Sequence, residues 1–374
     1  MFAASAPVAI ILSAGLRGGL DEIDLASWIF AAFVINGLLT IGMSFVFRQP
    51  LAFFWTIPGT VLVGTALQTL TLAEVVGAYF LTGILLLIFG LTGWIKLVME
   101  RLPMPIVMGM VAGVFVEFGL DWIRAFETDF VLVSAMTVVF FALTALQNYQ
   151  KIFPPMIGVL VVGAFFIFFQ DYDVTTEPYH GAIFATPRII VPAFSLPAAF
   201  ELVLPLAITV VAAQNAQGIV ILRSAGHLPP VNAITTACGT ASLFTTFFGC
   251  VSSCLTGPSN AILVSSGSIE RHWIAAIILG GMAIVFGIFA PAVTNLLIAT
   301  PAAFLSTLAG LALIRTLQSA FQTAFGAGFP VGALIAFLIT FAGLPILNIG
   351  SPFWGLLFGL IASFLLEKES YSKK

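Results

Sequence analysis

The sequence predicts an all-α polytopic membrane protein, on the grounds of its composition, its many long apolar segments and an internal repeat. Of 374 residues, 60 % are hydrophobic and 8 % are charged, whereas soluble domains carry about 25 % charged residues. A soluble fold of this length needs a charged exterior, which this composition does not supply. A protein surrounded by lipid needs an apolar exterior instead.

The apolar segments predict fourteen membrane spans, because a spanning helix needs roughly 20 mostly apolar residues. The first span is short. We place the spans at residues 1–16, 25–47, 51–70, 73–98, 103–123, 129–147, 153–170, 198–222, 231–248, 250–267, 272–296, 300–320, 329–344 and 348–366.

The third and tenth spans are predicted to be broken. In the third span Thr56 stands two residues before Pro58, and in the tenth span Thr256 stands two residues before Pro258. Threonine is a good helix N-cap, proline favours the first helical turn, and the residue before proline is pushed toward an extended backbone. Each span therefore reads as a strand-like half followed by a half-helix that begins near mid-membrane. The alternative is a plain proline-kinked helix. The occurrence of two such segments in matching places favours the broken helix over this alternative.

Four landmarks repeat at a nearly constant offset and predict two homologous halves, 1–170 and 198–374, joined by a connector at 171–197. The pairs are Pro58 and Pro258 (200 apart), Phe89-Gly90 and Phe286-Gly287 (197), Pro103 and Pro301 (198), and Gly113 and Gly310 (197). Seven spans per half is an odd number, so the second half enters the membrane inverted. Secondary transporters built from inverted repeats bind their substrates where broken helices meet near the midplane.

The basic residues predict the orientation. With the N-terminus on side A, ten of the 13 lysines and arginines fall on side A, Arg315 among them, and Arg17, Arg124 and Arg188 fall on side B. Cytoplasmic loops carry the excess of lysine and arginine. We therefore expect the protein in the cytoplasmic membrane, with both termini in the cytoplasm and the connector outside the cell.

The two half-helix N-termini predict an anion site. Helix N-termini present unpaired N–H groups and a positive dipole end, which attract anions in a low dielectric. The backbone amides around Gly59 and Gly257 are the first candidates. Neighbouring side chains add hydroxyl and amide donors, although each has the alternative role of capping a helix or linking two helices. These side chains are Thr56, Thr60, Ser252, Ser253, Thr256, Ser259 and Asn260.

The eighth span carries a pair of amides, Gln214 and Gln217, which share one helical face because they are three residues apart. Amides in the hydrocarbon zone are costly unless they find partners or line a cavity. We expect this face to line the substrate cavity, the alternative being a hydrogen-bonded contact between helices.

Glu117 lies inside the fifth span and is the candidate for proton coupling, because an ionisable residue within a span indicates a functional role. One interpretation is a protonatable carboxyl that burial keeps neutral. The other is an interfacial ion pair with Asp121 and Arg124, which lie one and two turns further on. Glu74 and Glu201 stand at predicted span ends and are expected to be interfacial.

Other chemistries lack their sequence signals. The chain has no zinc, P-loop or nucleophile-elbow motif, and its histidines lack metal-ligand spacing, so we expect no enzyme activity, metal or cofactor. No basic stripe suggests nucleic acid. The three cysteines, Cys238, Cys250 and Cys254, sit in apolar stretches and are expected to be buried thiols.

Several motifs in the right order resemble the BenE-type benzoate:proton symporter family over nearly the whole chain. The stretch from Gln214-Asn215 to Pro229-Pro230 is the most specific. The others are Ser27-Trp28, Trp55-Thr56-x-Pro58-Gly59 and Phe353-Trp354-Gly355-Leu356.

That resemblance implies a fold similar to the nucleobase–ascorbate and SulP anion transporters. Spans 1–4 and 8–11 would form a core domain that holds the substrate, and spans 5–7 and 12–14 a gate domain, with a homodimer through the gate by analogy. The implied substrate is benzoate or a similar aromatic carboxylate, taken up with protons, with Phe54 and Trp55 either packing on the ring or facing lipid. An acidic residue at Glu117 departs from the family pattern.

Three rival functions stay open at this point. The same fold also suits another small anion, such as sulfate or a dicarboxylate, or a purine or other nucleobase. A passive anion channel is a second class, which lacks uphill accumulation. An intramembrane enzyme is a third class, and it would need a convergent set of catalytic residues that the spans do not contain.

Overall fold

The structure is a computed structural model, which describes residues 6–94, 103–146, 155–169, 183–264, 268–298, 300–326, 328–344, 346 and 351–372. Its first half contains α1 (Ala6–Arg17), α2 (Glu22–Phe47), β1 (Phe53–Trp55), α3 (Ile57–Ala66), α4 (Leu72–Thr92), α5 (Met104–Thr128), α6 (Phe130–Ala145) and α7 (Pro155–Phe169). Its second half contains α8 (Leu196–Ser224), α9 (Val231–Thr246), β2 (Ser253–Leu255), α10 (Gly257–Leu263), α11 (His272–Ile288), α12 (Ala290–Ile298), α13 (Ala302–Phe325), α14 (Pro330–Ala342), α15 (Ser351–Leu366) and α16 (Lys368–Ser372).

The helices are those of a polytopic membrane protein. By length and composition, α2, α4, α5, α8, α13 and the helical stretch Ile269–Ile288 can each cross a bilayer. Large apolar side chains stand exposed on the outer faces of these and the shorter helices, for example Leu91, Val138 and Phe364. Such a surface would aggregate in water but matches a lipid solvent.

Two boundaries differ from the predicted spans. The eleventh span was expected as one helix over 272–296, but it ends at Ile288 and α12 starts at Ala290. Pro291 explains the break, because its ring removes an N–H donor and clashes with the carbonyl four residues earlier. The fourth span was expected to reach residue 98, yet α4 ends at Thr92. Gly93 follows with φ of 72°, the left-handed conformation that commonly stops a helix.

The third and tenth spans each consist of a short strand followed by a half-helix, as predicted. β1 and β2 pair antiparallel, with Phe54 opposite Cys254 at the centre. The flanking hydrogen bonds are reciprocal at an offset of 200 residues: the Thr56 N–H donates to Ser252 O at 3.0 Å, and the Thr256 N–H donates to Ala52 O at 3.1 Å. This pair satisfies peptide groups in the middle of the protein that would otherwise be costly to bury. β1 consists of Phe53–Trp55 and β2 of Ser253–Leu255.

The helices beside the strands pack in exchanged pairs, α2 on α11 and α9 on α4. Glycines allow the backbones to touch. A Cβ on Gly37 would lie 2.8 Å from the Gly280 carbonyl oxygen, and one on Gly239 would lie 2.9 Å from that of Gly83. Small residues at such crossings are typical of membrane helices, where close packing replaces the hydrophobic effect.

A second group of helices packs around α5. α5 lies against α13 and α14, α14 lies against α15, and α6 lies against α7. α1 contacts both α3 and α13, so it stands between the strand-bearing elements and this second group.

The connector runs over the ends of the first group of helices. Its described part is extended before α8 begins, and the acidic residues at 171–177 lie outside the described residues. Arg188 pairs with Asp24 at 2.7 Å and with Asp21 at 3.1 Å. Backbone hydrogen bonds join the connector to three helix ends: Ala185 N to Ile288 O, Ile190 N to Phe247 O, and Ala193 N to Ala73 O.

Candidate functional site

A cavity of about 570 Å³ lies between the two strand–helix elements and the α5–α13 pair. This volume falls within the range of about 300–1,000 Å³ that small-molecule sites occupy. Fifteen of the 23 lining residues are apolar, and the eight polar ones lie on two facing walls. One wall carries Gln214, Gln217, Thr256 and Ser259, and the other carries Arg315, Thr316, Ser319 and Thr323.

The backbone of α8 is irregular where it reaches the cavity. Its segment Thr209–Asn215 is a π-helix, and α-helix resumes at Ala216. Such π segments are rare and occur frequently at functional sites. Gln214 and Gln217 both line the cavity, as the sequence predicted. No pattern in the sequence predicts the π segment itself.

The neighbouring amide, Asn215, has a different role. Its Oδ1 accepts a hydrogen bond from Leu255 N at 2.8 Å, and its side chain also contacts the Cys238 sulfur at 3.7 Å. Asn215 is 1 % exposed. It therefore holds β2 against α8, which fixes the position of the tenth span relative to the two glutamines.

Gly257 provides space for Gln217. A Cβ at residue 257 would lie 2.5 Å from both Cδ and Oε1 of Gln217. The Gln217 amide thus lies across the first turn of α10, next to Thr256 and Ser259 on the same cavity wall. A larger residue at 257 would displace this amide.

The two half-helix N-termini are not equivalent. At α3 the Thr56 Oγ1 accepts a hydrogen bond from Gly59 N at 3.2 Å, so the amide we expected to bind an anion is already capped. At α10 the Thr256 hydroxyl instead donates to Ala52 O at 3.3 Å, and no side chain caps the helix. Thr60 donates to the Thr56 carbonyl at 3.0 Å and does not line the cavity.

Asn260 joins α10 to β1. Its Oδ1 accepts from Ala52 N at 3.1 Å, while its Nδ2 donates to Ala52 O at 3.2 Å and to Thr256 O at 2.7 Å. Ser252 and Ser253 are fully buried on the strand segment. None of these three candidates lines the cavity, so the structure brings together Gln214, Gln217, Thr256 and Ser259 and keeps the others behind them.

The apolar lining of the cavity comes from aromatic side chains beside α3 and from side chains of α5. Phe54 and Trp55 line it, and they are 4 % and 1 % exposed, so they face the cavity rather than lipid. The opposite wall consists of α5 side chains. These are Met104, Met108, Val111 and Phe115.

Arg315 is the lining residue that the sequence analysis assigned elsewhere. It was counted as a cation at the cytoplasmic end of the twelfth span. In the structure α13 continues to Phe325, so Arg315 lies ten residues before its end, about 15 Å along the axis. It is the one charged residue among the described residues that line the cavity. A single charged residue in an otherwise uncharged span was the available signal.

Glu117 lies outside the cavity. Arg124 Nη1 lies 3.0 Å from its Oε1, and its side chain is 43 % exposed. Arg124 also contacts Asp121, which pairs with Arg17 of α1. This geometry is that of the ion-pair interpretation, since the burial that would keep a carboxyl neutral is missing.

The other two glutamates differ from each other. Glu74 is partly exposed and forms a capping box with Thr71 at the start of α4. Glu201, which we expected at an interface, is 4 % exposed. The reason is that α8 starts at Leu196, so Glu201 lies inside the helix in a first π segment that packs on α4.

The remaining titratable groups form no metal centre in the part of the chain that the structure describes, where no group of three or more His, Cys, Asp or Glu converges. The three cysteines are free and buried, as predicted. Beyond the cavity, the buried rings of His227 and His272 meet with Nε2 and Nδ1 3.1 Å apart.

Comparisons with known proteins agree with this architecture. The chain is 31 % identical over 364 residues to the inner membrane protein YdcO of Escherichia coli, covering 96 % of this chain and 91 % of that protein. It is 29 % identical over 375 residues to the benzoate membrane transport protein of Acinetobacter baylyi, covering 98 % and 93 %.

Solved structures share the fold at low sequence identity. The transmembrane domain of the cyanobacterial bicarbonate transporter BicA superposes with a TM-score of 0.60 at 16 % identity, covering 97 % of this chain and 96 % of that one. SLC26A9 superposes with a TM-score of 0.63 at 15 % identity, and here the chain spans 63 % of that protein's length.

The family model described as benzoate membrane transport protein (BenE) matches residues 1–365, which is nearly the whole sequence. This protein therefore belongs to the BenE family of membrane transporters, and it is a transporter rather than an enzyme.

Proposed function

We propose that this protein is a secondary active transporter that imports benzoate or a similar aromatic carboxylate together with a proton. The observation that carries the proposal is the cavity, in which an aromatic and apolar lining surrounds a small number of convergent polar groups. A site of this composition fits a ligand with a planar apolar body and one anionic end.

The substrate's two ends find different partners. The ring packs against Phe54 and Trp55 and the methionines of α5, while the carboxylate receives hydrogen bonds from Gln214 and Gln217. A fully hydrated inorganic anion such as sulfate would leave the apolar lining unused. The name of the Acinetobacter baylyi relative supports the same substrate class.

The proposed architecture is fourteen spans in two inverted halves. The reciprocal hydrogen bonds at an offset of 200 residues support it, and so does the exchanged packing of α2 on α11 and α9 on α4. We assign spans 1–4 and 8–11 to a core domain and spans 5–7 and 12–14 to a gate domain. A homodimer through the gate is proposed on likeness of fold alone.

In this arrangement the cavity opens toward the cytoplasm. It is lined by the early part of α5 and by the later parts of α8 and α13, which all belong to side A of the membrane when the spans alternate. If Arg315 is counted as a cavity residue and no longer on side A, nine basic residues remain on side A and three on side B. This excess supports a cytoplasmic side A and cytoplasmic termini.

Proton coupling offsets the charge of the substrate. Moving one negative charge inward against 100 mV costs about 2.3 kcal/mol, which a co-transported proton cancels. The proton travels either with the substrate as the neutral acid or on a protein carboxyl. Glu117 was the sequence candidate, and buried Glu201 is the better-placed carboxyl for a substitution test.

The test is uptake of labelled benzoate into proteoliposomes with and without an inward proton gradient. Neutral benzoic acid crosses lipid by itself, so the transporter's share is the saturable uptake that unlabelled benzoate inhibits and protein-free liposomes lack. Gradient-driven accumulation that an uncoupler abolishes is expected. Glu201→Gln should then abolish gradient dependence if Glu201 carries the proton, and should leave it intact if the neutral acid does.

A matched pair of variants locates the site. Gln214→Leu is expected to lower saturable uptake, while Gln68→Leu, at an exposed turn outside the cavity, should behave like the unaltered protein. Absence of saturable benzoate uptake by folded protein would refute the substrate assignment. A screen of other carboxylates, sulfate and nucleobases on the same liposomes would then identify the cargo.

A further inference from the structure

Arg315 gives the cavity a net positive charge. The described lining residues include no aspartate or glutamate, and none of the ion pairs among the described residues involves Arg315. The Arg315 side chain is exposed, and the residue lines the cavity. A cation at this depth in a membrane protein is costly unless water or an anion accompanies it.

The residues around Arg315 form a polar stripe on the cavity side of α13. Thr316, Ser319 and Thr323 follow it at helical spacing and also line the cavity. Across the cavity are Gln214 and Gln217, which are carried by α8 and not by α13. The two polar walls thus belong to different packing groups of helices.

We propose that Arg315 is a substrate-binding residue that pairs with the carboxylate of the transported anion while the cavity is open. The inference deepens the proposed function, on which it rests for the identity of the anion but not for its charge. Guanidinium binds carboxylates through paired, charge-assisted hydrogen bonds. Neutral amides and hydroxyls on the opposite wall orient the ligand, and Arg315 provides selectivity for an anion over a neutral molecule of the same shape.

The position of Arg315 has a mechanistic consequence. A ligand that touches both Arg315 and the glutamines bridges two groups of helices, so the pair with Arg315 must break if those groups move relative to each other. Arg315 therefore binds the anion in the open cavity and releases it during the transport cycle. Its loss should weaken binding of anions in this state and spare binding of neutral analogues.

The binding test compares benzoate with benzamide, which keeps the ring and replaces the carboxylate by a neutral amide. Arg315→Gln is expected to weaken benzoate binding to purified protein by roughly 10- to 100-fold, the range of one hydrogen bond to a charged group. Benzamide binding should change less than about twofold in the same variant, a shift below 0.5 kcal/mol. Arg315→Lys should recover part of the benzoate affinity, because charge is kept while the fork is lost. Arg271→Gln, which removes an exposed arginine outside the cavity, is the charge-matched control.

A second measurement needs no substrate. Ser319 lies one helical turn from Arg315 in the cavity, and the three native cysteines are buried, so Ser319→Cys provides a single accessible thiol among the described residues. An anionic sulfonatoethyl and a cationic trimethylammonium-ethyl methanethiosulfonate report the local potential. Adding Arg315→Gln should lower the anionic-to-cationic rate ratio by about fivefold, since each reagent carries one charge of opposite sign.

The outcomes separate the two proposals. A protein that binds no benzoate refutes the proposed substrate, and the thiol ratio then decides the role of Arg315 by itself. If benzoate binds and Arg315→Gln leaves both its affinity and the thiol ratio unchanged, Arg315 is not an anion-binding residue. Equal loss of benzoate and benzamide binding would likewise overturn the inference, because it would indicate a structural defect.

Discussion

Asn260 offers a sharp test of which polar residues hold the fold and which hold the substrate. It is fully buried, and its amide makes three hydrogen bonds, two of them to the backbone of Ala52 on the opposite half of the chain. At about 0.5–1.5 kcal/mol each, these bonds total about 1.5–4.5 kcal/mol. Replacement by alanine also leaves the buried Ala52 N–H without its acceptor. We therefore expect Asn260→Ala to lower the free energy of unfolding by about 2–4 kcal/mol.

The assay is equilibrium unfolding of the purified protein in mixed detergent micelles, combined with uptake kinetics. Asn295→Ala is the matched control, since that amide makes one local bond to the Pro291 carbonyl at 2.8 Å. It should cost about 1 kcal/mol or less. The Asn260 variant should lose uptake in proportion to its folded fraction, with an unchanged KM. Normal unfolding together with a raised KM would show that Asn260 binds substrate directly, and would refute this reasoning.

Three further changes test other contacts. Gly257→Ala places a methyl group 2.5 Å from the Gln217 amide; since a flexible side chain gives way more easily than backbone, KM should rise several-fold with little change in stability, and a normal KM would contradict the proposed site. His227 has a pKa lowered by burial and by its histidine partner, so folding favours its neutral form, and stability that is present above about pH 6.5 should decline as the pH falls. His227→Gln should flatten this acid-side decline in thermal unfolding scans, and an unaltered slope would rule the residue out. Gly37→Ala brings a Cβ within 2.8 Å of a carbonyl oxygen on α11 and should destabilise by about 1–3 kcal/mol, whereas Gly42→Ala on the same helix meets nothing within 4 Å and should not; equal stability of the two variants would show that the crossing relaxes freely.

Local chemistry made the broken spans predictable. A threonine two residues before a proline specifies an extended stretch and then a helix start whatever surrounds it, and both examples appear in the structure. The pair Gln214 and Gln217 was equally readable, because spacing alone puts both amides on one face. The same reasoning found the cavity wall to which they contribute.

The residues that the sequence misassigned depend on distant parts of the chain. Asn260 resembles a site residue in the sequence, yet two of its three hydrogen bonds join it to the backbone of Ala52, 208 residues away. Arg315 was counted at the cytoplasmic end of its span because the end of α13 was set five residues too early, at 320 and not at Phe325. Which face of a helix meets a cavity follows from tertiary packing, which a single apolar run does not encode.

The pairing of β1 with β2 has a consequence for how the chain is made. The ladder hydrogen bonds of the β1 segment are made with residues 252–256, which leave the ribosome about 10–40 s later at 5–20 residues per second. During that interval the first half lies in the membrane with an unpaired strand edge at β1, and it is not yet competent for transport. The membrane-insertion machinery must therefore protect the incomplete first half of the protein until the second half has been synthesised. The connector, which is hydrogen-bonded to the ends of α4, α9 and α11, then holds the two halves in register.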